Sequence, residues 1–242
     1  MSYKLTYKPF GEQAILIEWP SKIDPAISKD IIAFQYAIQC LPNTNIIDSI
    51  VGYSSLTLKY NDDSRDVDQE IALLKSIYAK PILKQGTVNF SWRIPVCYEK
   101  EFGLDLKEMS ETTSLPINEI IRLHTASTYT VYFIGFLPGF LYLGGLNKKL
   151  CIERKSTPRL QVAKGAVGIG GSQTGIYPNT SAGGWNIIGK TPILFFDIEK
   201  ETPCFAKPGD EIQFVPISAA EYKVLEKQVL ANTYVINKTA IR

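Results

Sequence analysis

The chain has 242 residues, of which 45% are hydrophobic and 21% charged, with a formal net charge of +2. This balance suits a globular protein of one large or two modest domains, and no block of basic residues is concentrated enough to suggest a nucleic-acid partner. A single histidine, His124, excludes a multi-histidine zinc site built from this chain alone, and no metal site is expected.

In chain order, the run Ala14-Ile15-Leu16-Ile17 reads as a strand ended by Pro20. Asp24 with Pro25 makes an N-cap followed by proline at the first helical position, and Ile27, Ile31, Ile32, Phe34 and Ile38 give a helical stripe. Ile46 to Val51 and Ser55 to Tyr60 read as two strands around Gly52, and Ser64 or Asp66 caps a second helix. Strand, helix, strand, strand, helix predicts a small α+β domain of the ferredoxin-like kind over residues 1–84. Lys80-Pro81 to Gln85-Gly86 is the expected boundary.

Val88 to Tyr98 then alternates as a strand, Asp105 to Met109 opens a short helix, and Ser114-Leu115-Pro116 starts a clear one that ends near His124. From Tyr129 onward, short apolar runs punctuated by Gly and Pro predict a compact β-barrel over residues 87–230. Those runs include Ala166 to Ile169, Gly184 to Ile188, Ile193 to Phe196 and Asp210 to Val215. Ser218 to Leu230 closes the domain as an amphipathic helix, and 231–242 reads as a loosely held tail.

The N-terminus shows no basic segment followed by an apolar run, and no apolar stretch is long enough to span a bilayer. A cytoplasmic protein with no membrane partner is expected. Cys40, Cys97, Cys151 and Cys204 form no CxxC pair and are expected as buried, reduced thiols.

Gly184-Trp185-Asn186-Ile187-Ile188-Gly189-Lys190-Thr191 matches the phosphate-loop pattern GxxxxGK[ST]. Its interior holds bulky and β-branched residues, and an apolar run follows instead of a helix, so strand-turn-strand is the better reading. The glycine-rich stretch from Lys164 to Gly175 fits a bent barrel strand better than a dinucleotide fingerprint. Glu153-Arg154-Lys155 with Arg159 reads as a local anion site or a solvated loop. His124 to Leu143 crowds Tyr129, Tyr132, Phe133, Phe136, Phe140 and Tyr142 around Gly135, Pro138 and Gly139. Such a stretch supplies core packing or an apolar pocket. His124 alone reads more readily as a helix-end or core histidine than as a catalyst.

The segment HTASTYTVYFIGFLPGFLYLGGL from His124, together with TPRLQVAKGAVGIGGSQTGIYPNTSAGGWNIIGKTP from Thr157 to Pro192, resembles the family that groups allophanate hydrolase subunit 1, KipI and the B subunit of 5-oxoprolinase. Ala163 and Ala182 stand where that family commonly carries proline, and Lys164 is unusual there. The resemblance implies a cyclophilin-like barrel that pairs with a C subunit, itself cyclophilin-like, and with a third subunit. It also implies ATP-dependent opening of 5-oxoproline to glutamate, with Mg2+ arriving on the nucleotide and no tightly bound cofactor in this chain. An amide hydrolase subunit of this kind is expected to be inactive alone. Residue type, with position in or beside these segments, suggests His124, Arg159 and Gln173 as catalytic groups, and Arg154, Lys164, Tyr177, Phe136 and Lys190 as substrate contacts. Two other functions fit the same resemblance: a KipI-like inhibitor of a sensor histidine kinase, and a non-catalytic barrel that binds a small carboxylate.

Overall fold

A computed structural model describes residues 3–42, 45–61, 66–80 and 88–241. The chain divides into two compact units, residues 1–87 and 88–242. The expected boundary segment from Pro81 to Gly86 lies outside the described residues.

The first unit contains β1 (Thr6–Pro9), β2 (Ala14–Glu18), α1 (Pro25–Gln39), β3 (Ile46–Val51), β4 (Ser55–Tyr60) and α2 (Val67–Tyr78). The helices begin where local chemistry starts them. The Asp24 carboxylate accepts from the Ala26 amide, and Asp66 accepts from the Asp68 and Gln69 amides. Alternation along β2 and β4 buries Ile15, Ile17, Leu56 and Leu58 against Ile27, Ile31, Phe34 and Ile38 of α1. The sheet is antiparallel in the order β1-β2-β4-β3. Its element order is ββαββα. A ferredoxin-like βαββαβ unit places its fourth strand after the second helix, whereas β1 precedes everything here.

The second unit opens with β5 (Asn89–Cys97), α3 (Leu106–Thr113) and α4 (Ile117–Ala126). Then come β6 (Thr128–Ile134), β7 (Leu141–Gly144), β8 (Arg159–Val162), β9 (Ala166–Gly170), β10 (Gln173–Ile176), β11 (Ser181–Gly183) and β12 (Asn186–Lys190). It ends with β13 (Glu211–Ile217), α5 (Ala219–Leu230) and β14 (Lys238–Ile241). Strands β12, β9, β10, β7, β6, β13 and β5 form a ring, closed where Lys190 of β12 pairs with Cys97 of β5. Closure removes the exposed edges that an open sheet would carry. Strands β8 and β11 pair separately as a two-stranded ribbon. Ile94, Val131, Leu143, Ile169 and Phe214 fill the barrel, and α4 adds Ile120 and Leu123 to the same core.

Three expectations are corrected. The tail is not loosely held: β14 pairs antiparallel with β5, from Lys238 opposite Trp92 to Ile241 opposite Asn89. The Lys238 ammonium lies 4.3 Å from the Phe90 ring centre and 5.0 Å from that of Trp92. The run Ile193 to Phe196 is irregular, not a strand, although Ile193 and Phe195 are buried in the core. Among the cysteines, Cys97 is buried, but Cys40 and Cys151 are exposed, and all four are unpaired. No helix among the described residues is long and apolar enough to cross a membrane.

Candidate functional site

His124 ends up inside the barrel. Its ring stacks on Phe214 with centroids 4.6 Å apart, and the side chain is fully buried. Nδ1 lies 2.9 Å from the Tyr98 hydroxyl and Nε2 lies 3.0 Å from the Thr174 hydroxyl. Thr174 donates its own proton to the Gly168 carbonyl, so it accepts from Nε2–H, and Nδ1 accepts from Tyr98. Burial pulls the pKa of His124 down to about 3. A neutral imidazole with both nitrogens engaged in the core is not placed to exchange protons with a substrate. The proton-transfer role expected for His124 therefore gives way to a structural one.

The two motif segments meet on the outer wall of the barrel. Along β9, Val167 and Ile169 point into the core while Gly168 and Gly170 face out, as the two-residue period of a strand requires. The Trp185 ring lies against this bare backbone: a Cβ on Gly170 would come within 2.6 Å of it. Phe140 packs edge-on against Tyr177 at 5.5 Å and Trp185 at 5.6 Å, joining the first segment to the second. Tyr142 stacks on Phe133 at 4.2 Å and touches Phe140. At the tip of the loop, Phe136 is 63% exposed with φ +63°, a left-handed conformation that costs a bulky residue energy. Gly139 at φ +82° lets the chain return to β7, its Cα packed against Phe195 and Phe196.

A cation, Arg154, lies over this aromatic wall. The Asn186 amide donates to the Glu153 carbonyl, and the Lys155 amide to that of Gly184, which pins the segment carrying Arg154. The Arg154 guanidinium sits 5.8 Å from the Trp185 ring centre. Burial raises the pKa of Tyr177, opposed by a hydrogen bond from the Trp185 amide and by the nearby Arg154 and Arg159 charges. Arg159, on β8, donates through Nη2 to Asp105 at 2.5 Å, while its Nη1 is buried with no acceptor among the described residues. Such an orphaned donor is uncommon in a folded protein and calls for a partner oxygen.

Asp105 precedes α3 in the cap position yet makes no side-chain cap. Its oxygens instead serve Arg159, the Lys155 ammonium at 3.1 Å and the Ile187 amide at 2.6 Å. Burial alone would raise its pKa, but the hydrogen bonds from Arg159, Ile187 and Lys155 outweigh it and hold the carboxyl below its ordinary value.

The structure thus groups Arg154, Arg159, Tyr177 and Phe136 along one aromatic wall. Gln173 alternates with inward-facing Thr174, so it faces outward on the same strand face as Gly175, against which Trp185 also packs. Lys164 and Lys190 instead line a cleft of about 170 Å³ with Tyr222 and Glu226 of α5. Sequence reasoning gave Asp105 and Trp185 no place in the site, and it marked Lys155 and Tyr142 only as parts of a charged cluster and an aromatic stretch. Residues 186–190 are barrel strand β12, not a loop opening a helix, so they do not fit a nucleotide phosphate. Among the described residues, no group of three or more His, Cys, Asp or Glu is placed to hold a metal.

Comparison with known proteins agrees with this architecture. The family described as "Carboxyltransferase domain, subdomain C and D" matches residues 5–206. The B subunit of 5-oxoprolinase from Bacillus subtilis (strain 168) is 33% identical over 94% of this chain and 99% of its own. The crystal structure of TTHA0988 is 29% identical with a TM-score of 0.75, over 86% of this chain and 40% of that one. Kluyveromyces lactis urea carboxylase shares the fold at 19% identity, with a TM-score of 0.80 over 99% of this chain and 24% of that much longer one. By the family match over residues 5–206 and the identity to the B subunit of 5-oxoprolinase over 94% of its length, this chain belongs to the carboxyltransferase-domain subdomain C and D family.

Proposed function

We propose that this chain is the B subunit of a 5-oxoprolinase, with a cyclophilin-like barrel that opens 5-oxoproline to L-glutamate together with the C subunit and a third subunit. The reaction depends on ATP and Mg2+ in the assembled enzyme, and nothing on the aromatic wall is assigned to them. What supports the reading on this chain is the buried Arg159 nitrogen without an acceptor beside an aromatic floor. A five-membered lactam carrying a carboxylate has one flat apolar face and one anionic group. The half-buried Tyr142 ring, backed by the buried Phe140 and Trp185, suits the first, and Arg159 with Arg154 suits the second, since guanidinium matches carboxylate geometry.

The lactam carbonyl is unstrained and a weak electrophile. Its opening builds negative charge on the carbonyl oxygen, and fixed donors aimed at that oxygen lower the barrier. Tyr177 and Gln173 are the proposed donors, while Phe136 covers the ring. Lys164 and Lys190 lie in the α5 cleft and are left to a subsidiary anion contact.

Coexpression with the C subunit and the third subunit, followed by an assay for glutamate released from 5-oxoproline with ATP, tests the proposal. Arg159→Ala should lower kcat/KM about 10- to 100-fold, as expected for loss of a hydrogen bond to a charged group. A stable complex that releases no glutamate, or that instead inhibits a sensor histidine kinase, would overturn it.

A further inference from the structure

The ionic node behind Arg159 has a charge imbalance. Asp105 is 3% exposed, Lys155 16% and Arg159 29%, whereas Glu108, the second partner of Lys155, is 63% exposed. The sheltered part of the node therefore holds two cations and one anion, and Glu108 is screened by water. One negative charge is missing from the sheltered side, and the buried Nη1 of Arg159 lies within that sheltered part.

Asp105 also fixes how the fork is aimed. Its Oδ1 takes Arg159 Nη2 and Lys155 Nζ, and its Oδ2 takes the Ile187 amide of β12. The Asp105 amide in turn donates to the Ile187 carbonyl at 2.8 Å. A carboxylate residue held by two hydrogen bonds to the backbone of one barrel residue is a rigid post. Arg159, on the separate β8–β11 ribbon, is tied to the barrel through that post. Asp105 gives up the helix-capping role that its position offers, a local rule broken in favour of the site.

We propose that Asp105 is a positioning residue that orients Arg159 so that Nη1 receives a single carboxylate oxygen of the substrate. This rests on the proposed 5-oxoprolinase reading. Lys155 neutralises Asp105, so that the post does not cancel the charge Arg159 offers.

The test is a double-mutant cycle in the assembled complex, read by KM and kcat for 5-oxoproline. It is also read by calorimetric binding of 5-oxoproline and of its uncharged carboxamide. Asp105→Asn should raise KM about tenfold, with kcat within about twofold, since one charge-assisted contact is misaimed. In an Arg159→Ala background the same change should cost less than about twofold, because the post then has nothing to aim. Binding of the carboxamide should be insensitive to both. Glu108→Gln, at the exposed end, should leave KM unchanged. Additive penalties, or a loss of kcat and melting temperature with KM intact, would show that Asp105 is only a structural ion-pair partner. If Asp105→Asn does not fold, Asp105→Glu, which keeps the charge but moves the fork, carries the same cycle. If the complex turns over no 5-oxoproline but carboxylate binding still follows the cycle, the functional reading fails and the positioning role stands. Normal turnover with an additive cycle is the reverse.

Discussion

At the scale of single residues, His124 and Gly170 make opposite demands on the same barrel wall. His124 must stay neutral inside it. Its folded pKa of about 3 lies below the ordinary 6.5. Between those values the unfolded chain binds the extra proton, so stability is fully present above pH 6.5 and falls as the pH drops toward 3. The slope from this one group is at most about 1.4 kcal/mol per pH unit. Urea unfolding at about pH 4, 5 and 7 should show it. His124→Gln should flatten the dependence while costing some stability near neutral pH through poorer stacking on Phe214. A slope unchanged by the substitution would mean that other groups dominate acid lability; Asp105, with its depressed pKa, is the first candidate at the acid end. Gly170 must stay small. Gly170→Ala drives its new methyl into the Trp185 ring and should cost about 1–3 kcal/mol. Tryptophan fluorescence should report the displaced ring in the same sample. Arg159, Arg154 and Tyr177 could be proposed from sequence because their types suit anion binding and hydrogen bonding. Asp105 could not, because the partners that divert it from its helix, Arg159 and Ile187, are 54 and 82 positions away. The reading of His124 as a helix-end or core histidine agrees with its burial against Phe214, although sequence alone could not tell which of the two it is.

At the scale of elements, the helices were readable wherever their ends carry their own chemistry. Asp24, Asp66 and Ser218 cap α1, α2 and α5 with contacts two or three residues away, and Ser218 with Glu221 completes a capping box. Strands β3 and β4 fell where the sequence put them, β4 with clear alternation of buried and less buried positions. The misreadings share one cause. Ile193 to Phe196 has the composition of a strand but no ladder partner, and β14 has the look of a tail but finds an edge at β5. Pairing decides both, and pairing is not local. Deleting residues 233–242 should therefore do more than trim a terminus. It removes four ladder positions and the Lys238 contacts to Phe90 and Trp92. A loss of about 1–3 kcal/mol in urea unfolding is expected, with increased binding of a hydrophobic dye as Trp92 is uncovered. A truncated chain that melts like the full one would show that β14 adds nothing to the barrel.

At the scale of the whole molecule, the family match runs over residues 5–206 and a curated relative aligns over 94% of the chain, which is why the motif resemblance could stand for most of it. What the motifs could not convey is that the aromatic wall lies on the outside of the barrel, with its core filled by other side chains. Closure itself has a temporal consequence. Strand β5, the first of its unit, is flanked by β13 over most of its length, by β12 at one end and by β14 at the other. None of those neighbours exists until long after β5 has been made. While the polypeptide is still emerging from the ribosome, Phe90, Trp92 and Ile94 must wait with nothing to pair against, a state that invites rescue by a chaperone and delays folding until the seam is sealed.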